Sequence, residues 1–91
     1  MTYDIVIIGG GAAGIATAAS ILKRNAKVSI AVVDAARDHY YQPGWTMVGA
    51  GVFTSEQTRK AEADVMPKGV EWIRLPAITI DPERQAITLG D

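Results

Sequence analysis

Residues 4–34 run DIVIIGGGAAGIATAASILKRNAKVSIAVVD, and the order of residue types leaves few folds open. Ile5, Val6, Ile7 and Ile8 form an uninterrupted apolar run, the pattern of a central parallel strand covered on both faces. Gly9, Gly11 and Gly14 follow at G-x-G-x-x-G spacing. Ala12, Ala13, Ala16, Ala18 and Ala19 then supply helix propensity and a slim profile. Lys23 and Arg24 make a basic last turn and Asn25 a C-cap. Val28 to Val33 read as a second strand with Asp34 at its C-terminal end. Three glycines in six positions arise by chance in any glycine-rich loop. Flanked by a strand, a helix and an acid closing the next strand, they are specific for a βαβ unit that binds a dinucleotide.

Each part has a physical task. Gly9 turns the chain sharply out of the strand, Gly11 lets a pyrophosphate approach the backbone, and Gly14 lets the helix pack on the sheet. The free amides and positive end of the helix would meet the diphosphate. Candidate cofactor contacts are therefore Gly9, Gly10, Gly11, Ala12, Ala13 and Gly14 at the diphosphate. Asp34, with the adjoining Ala35, is the candidate at the adenosine ribose hydroxyls. The alternative for Asp34 is a solvated turn residue. Its negative charge disfavours a ribose 2′-phosphate, which argues against NADP despite nearby Arg37.

Residues 5–22 carry no charge, a length that invites a membrane reading. That run is mostly Gly, Ala, Ser and Thr outside its two apolar ends, and no basic n-region precedes it. We read neither a signal peptide nor a membrane anchor there. The chain is 48% hydrophobic and 21% charged with a net charge of −1, as in ordinary globular domains. That charge gives no reason to expect a nucleic-acid partner. Zero cysteines exclude a disulfide or a thiol redox centre within these residues, and one histidine argues against structural zinc.

Ninety-one residues make one small domain, yet a doubly wound dinucleotide fold needs strands on the other side of the first one. We expect residues 1–91 to be the N-terminal part of such a domain. The first strand would then have an unpaired edge, a route to self-association.

Past Asp34 the pattern changes. Residues 38–53, DHYYQPGWTMVGAGVF, show neither helical nor alternating period and read as an irregular segment with a short helix around Thr46–Val48. Tyr40, Tyr41, Trp45 and Phe53 either close over a core or line a flat apolar pocket. His39 reads as a hydrogen-bonded structural residue rather than a catalyst. Thr54 and Gln57 fit a capping box opening a solvated surface helix over 55–64, which Met66-Pro67-Lys68-Gly69 ends. Val70 to Leu75 alternates as a third strand. Residues 78–80 and 86–89 flank the turn-forming Asp81-Pro82-Glu83-Arg84 and read as a β-hairpin. A meander after the third strand is a habit of flavoproteins with two dinucleotide domains, a fold-level analogy. The expected class is thus α/β: a Rossmann-like βαβ unit with parallel strands plus a β-hairpin, part of a doubly wound domain.

The chain resembles the N-terminus of the sulfide:quinone oxidoreductase family, within the pyridine nucleotide-disulfide oxidoreductase group, over essentially its whole length. Asp4 to Gly14 with Asp34 fit many FAD enzymes. More specific is His39-Tyr40-Tyr41-Gln42-Pro43-Gly44-Trp45-Thr46-Met47-Val48-Gly49-Ala50-Gly51, which is similar to the family's H-x-YQPxWTLVGAG segment. Pro67-Lys68-Gly69-Val70-Glu71-Trp72-Ile73 also resembles its P-x-GVEWI stretch, especially in the branch with the mitochondrial enzymes.

The resemblance implies FAD on the helix N-terminus with Asp34 on the ribose, where the family more often has Glu. It implies Gln42 and Pro43 near the flavin and the Ala77 backbone near the adenine. It also implies a parent enzyme that oxidises sulfide at a cysteine pair and passes electrons through FAD to a membrane quinone. Such an enzyme would be cytoplasmic or peripheral to a membrane. None of those cysteines lies in this chain, so we expect no catalysis by these residues alone. The alternatives are another flavoprotein of the group, such as a type II NADH:quinone oxidoreductase or a flavocytochrome sulfide dehydrogenase subunit, or a non-catalytic nucleotide-binding module.

Overall fold

The computed structural model describes residues 1–91. In chain order, β1 is Ile5–Ile8, α1 Ala12–Arg24, β2 Ile30–Val33 and β3 Asp38–Tyr40. After a 3₁₀ turn over Gln42–Gly44 come α2 (Trp45–Gly49), α3 (Ser55–Thr58), β4 (Arg59–Ala61) and α4 (Glu62–Val65). The chain continues through β5 (Val70–Ile73), β6 (Ala77–Asp81) and β7 (Ala86–Leu89). Strands β1, β2 and β5 form a parallel sheet in the order β1-β2-β5, in register Ile5↔Ile30 and Ile30↔Val70. The expected α/β class and parallel βαβ unit are present.

The apolar runs divide their work differently from expectation. β2, not β1, is the strand covered on both faces, with all four residues buried. β1 pairs only with β2 and alternates, leaving Val6 and Ile8 exposed while Ile5 and Ile7 pack toward α1. The core is Ala18 of α1 on Ile30 and Val32, joined by Ile21, Leu22 and Val70. Alanine at position 18 keeps α1 close to the sheet. The uncharged stretch 5–22 is split between β1 and α1, and no helix is long and apolar enough to cross a membrane.

The hairpin β6–β7 pairs antiparallel across the expected turn. The capping box is also in place. Thr54 Oγ1 accepts from Gln57 N at 3.3 Å, and Gln57 Oε1 accepts from Thr54 N at 2.7 Å. The surface helix expected over 55–64 is not. It stops at Thr58, whose hydroxyl donates to the Ser55 carbonyl at 2.6 Å. Residues 59–61 then pair antiparallel with β3, in register Asp38↔Ala61, His39↔Lys60 and Tyr40↔Arg59. Arg59 ties the junction by bonding Asp38 at 3.1 Å and Glu56 at 3.0 Å. Helix propensity loses here to strand pairing and to burial of Thr58 and Glu62. The same ribbon gives order to residues 38–40, read as irregular from sequence.

Candidate functional site

The glycine segment leaves the C-terminal end of β1 and opens α1 beside the end of β2. Gly9 turns the chain with φ of +106°, a conformation side chains rarely adopt. Its amide donates to the Val33 carbonyl at 2.9 Å, extending the β1–β2 ladder. A Cβ on Gly14 would overlap the Gly9 carbonyl oxygen and lie 3.3 Å from Ile7 Cγ2, so only glycine lets α1 sit this close to β1. A Cβ on Gly11, by contrast, would meet nothing within 4 Å. Space above this residue is therefore open to a ligand.

Gly11 is the N-cap of α1 and supplies no side-chain cap. The amides opening the helix at Ala12, Ala13 and Gly14 have no partner within it, because the first intrahelical bond runs from Ile15 N to Gly11 O at 3.0 Å. The first turn holds no acidic residue, and Lys23 and Arg24 occupy the last. This end of α1 is a donor array with a favourable dipole and no internal anion, as a diphosphate requires.

Asp34 stands across the loop at the end of β2. Its Oδ2 accepts from Gly10 N at 2.6 Å and its Oδ1 from Ala36 N at 2.8 Å. The carboxylate is thus fixed by two backbone amides, with lone pairs remaining for hydroxyl donors. Its own backbone is held from β5: Asp34 N donates to Ile73 O at 3.0 Å, and Trp72 Nε1 donates to Asp34 O at 2.9 Å. The Arg74 guanidinium lies 4.2 Å from the Trp72 ring centroid. Ala35, Arg37, Trp72 and Arg74 help line a cavity of about 440 Å³ next to Asp34.

The remaining predicted residues lie on two other segments. Gln42 and Pro43 sit exposed in the 3₁₀ turn after β3, with no hydrogen bond to the glycine loop. Ala77 opens β6 opposite Leu89. Tyr41 and Trp45 are 58% and 46% exposed, so the aromatics close no core; Tyr40 and Trp45 pack on each other with ring centroids 5.9 Å apart. A larger concavity of about 940 Å³ lies between the exposed face of β1 and the β6–β7 hairpin, lined by Val6, Ile8, Ile80 and Leu89 among others. It includes none of the candidate cofactor contacts.

Sequence reasoning missed Glu62. Only 1% exposed, it lies beside Gly10: a Cβ there would be 3.1 Å from Glu62 Oε2 and 3.0 Å from Asp34 Oδ2. His39 completes the group. Its Nδ1 is 3.2 Å from the Gly10 carbonyl and 3.5 Å from Glu62 Oε1. A carbonyl oxygen only accepts, so Nδ1 carries the proton. Burial, and then repulsion from Asp34, raise the Glu62 carboxyl above the usual carboxylate range, while His39 pulls it back. His39 is hydrogen-bonded, as expected. Nothing local in Ala61-Glu62-Ala63 marks the acid as buried; only the β3–β4 ribbon brings it to the loop.

The profile of the pyridine nucleotide-disulphide oxidoreductase family matches residues 3–91. The mitochondrial sulfide:quinone oxidoreductase of Dictyostelium discoideum is 39% identical over 96% of this chain, and that of Mus musculus 34% over 93%. The crystal structure of the Aquifex aeolicus sulfide:quinone oxidoreductase superposes on 93% of the chain with a TM-score of 0.78 at 28% identity. The chain spans about a fifth of the length of each of these relatives. A glycine loop on a helix N-terminus, an acid closing β2 and a match over nearly every residue agree: the chain belongs to the pyridine nucleotide-disulphide oxidoreductase family and is similar, within that flavin-binding group, to the N-terminal part of the sulfide:quinone oxidoreductases.

Proposed function

We propose that this chain forms the FAD diphosphate and ribose site of a sulfide:quinone oxidoreductase. The observation that carries the reading is the donor array at Ala12–Gly14, open above Gly11, with the Asp34 carboxylate fixed beside it. Those amides would hold the diphosphate, and Asp34 would accept from the ribose hydroxyls. The cavity at Ala35, Arg37 and Trp72 would take the adenosine end, and the family resemblance would bring the Ala77 backbone near the adenine. The exposed Gln42 and Pro43 would face the flavin end.

FAD, when bound, takes up electrons from the reductant and returns them to the acceptor. In the proposed reaction sulfide is the reductant and a quinone the acceptor. The 91 residues contain no cysteine, so their contribution is to bind and orient the cofactor rather than to engage sulfide covalently.

The experiment is spectroscopic. The purified protein carrying this chain should show flavin absorption bands, lose them on anaerobic addition of sulfide, and regain them on addition of a quinone. Bleaching by NADH with none by sulfide would refute the sulfide assignment and favour an NADH-oxidising member of the group. Absence of flavin even after incubation with FAD would refute the cofactor assignment.

A further inference from the structure

Gly10 is the one residue of the glycine loop held by three side chains from separate segments. Its amide donates to Asp34 at the end of β2, and its carbonyl accepts from His39 on β3. Its Cα face packs against Glu62 at the start of α4. Glu62 is itself anchored, its amide donating to the Arg37 carbonyl at 2.9 Å. The side chains of His39 and Glu62 are 10% and 2% exposed, and Glu62 Oε1 is buried with no hydrogen-bond partner.

A buried ionisable pair is an expensive way to fill space. Apolar residues of similar volume commonly stabilise a fold as well or better, and a buried oxygen without a partner calls for a reason other than packing. The reason on offer is position, because both side chains converge on the peptide that precedes the diphosphate donors. Fixing Gly10 aims the amides from Gly11 onward before the ligand arrives, which lowers the ordering cost of binding. Resting on the FAD reading above, we propose that His39 and Glu62 are a positioning pair that preorganises the glycine loop for the cofactor diphosphate, acting through Gly10 rather than touching the reacting atoms.

A Glu62 carboxyl with a raised pKa suits this task, since a second full negative charge beside Asp34 would oppose a diphosphate. Burial and Asp34 shift Glu62 toward its protonated form, and His39 shifts it part of the way back. Substitutions can then separate position from packing. Asn at 39 offers an amide N–H where Nδ1 stands, and Gln at 62 is the isostere of a neutral Glu. Leu at either place fills the volume without the polar contact.

The test measures FAD affinity by quenching of flavin fluorescence, and melting temperature of the cofactor-free protein, for His39→Asn, His39→Leu, Glu62→Gln, Glu62→Leu and the double Leu variant. The Asn and Gln variants should bind within about twofold of the unsubstituted protein. His39→Leu should bind about fivefold to tenfold more weakly, the loss of one neutral hydrogen bond, and Glu62→Leu more weakly as well through the lost polar contact with His39, each without a matching fall in melting temperature. The double variant should lose less than the product of the singles, because both act on one peptide.

Amide hydrogen exchange at Gly10 and Gly11 without FAD supplies a readout independent of the cofactor. Exchange should speed up in the Leu variants and not in Asn or Gln. Leu variants that bind FAD and exchange like the unsubstituted protein would overturn the proposal. So would affinity losses that track melting temperature across all five variants. Failure of the unsubstituted protein to bind FAD, with loop exchange still responding as expected, would refute the cofactor reading and leave the positioning of the loop supported.

Discussion

Replacing Asp34 with alanine removes the acceptor for two amides of unequal consequence. The Gly10 amide donates at 2.6 Å from a buried residue, whereas the Ala36 amide, bonded at 2.8 Å, belongs to an exposed one. Water replaces the lost partner at Ala36. At Gly10 the donor is left unsatisfied, at a cost of about 1–3 kcal/mol. Loss of Asp34 also relieves the repulsion that helps raise Glu62, offsetting part of the damage wherever Glu62 is ionised. The net expectation is about 1–2 kcal/mol of lost stability. For a chain of this size that lowers the melting temperature by roughly 5–15 °C. Separately, the ribose loses a charged acceptor worth about 1.5–3 kcal/mol, so FAD affinity should fall about 10- to 100-fold. Calorimetry of the cofactor-free protein and a fluorescence titration with FAD measure the two effects independently. An unchanged FAD titration would remove Asp34 from the ribose, and an unchanged melt would show that its bond to Gly10 adds nothing.

Other substitutions sort the loop by task. Gly11→Val should leave the melting temperature of the cofactor-free protein nearly unchanged, because its side chain enters open space, yet weaken FAD binding at least about 10-fold by occupying the diphosphate position. Gly14→Ala should do the reverse, destabilising the fold by about 1–3 kcal/mol as α1 is pushed off the Gly9 carbonyl, measured by urea unfolding. Thr54→Ala removes the capping box and should cost about 1 kcal/mol with no change in FAD affinity. Glu62 has a raised carboxyl pKa in the fold, so its contribution to stability is complete below the ordinary value of about 4.3 and fades as pH climbs through the raised one. The melting temperature of Glu62→Gln should therefore gain on the unsubstituted protein as pH rises through that interval; a constant gap would show that Glu62 titrates normally.

The elements legible from sequence are those whose signal is local. Gly9 to Gly14, the alanine-rich helix, the capping box at Thr54 and the turn at Asp81–Arg84 each announce themselves within a few residues, and each is found where expected. What sequence left open depends on contacts between distant segments. Residues 59–61 are good helix formers, and only pairing with Asp38–Tyr40 makes them a strand. Glu62 reads as a solvated charge until that ribbon sets it against Gly10. β1 reads as doubly covered because its residues are uniformly apolar, yet its second face, at Val6 and Ile8, is open in these residues. Asp34 was legible as the acid closing β2, but its grip on the Gly10 amide was not, since that bond follows from the crossing of loop and strand end.

A crystal structure of the protein with FAD bound tests the central claim most directly. The account predicts diphosphate oxygens within hydrogen-bond distance of amides among Gly11–Gly14, ribose hydroxyls on Asp34, and His39 and Glu62 still closed on Gly10. FAD bound away from the Gly9–Gly14 loop, or a ribose turned away from Asp34, would contradict it.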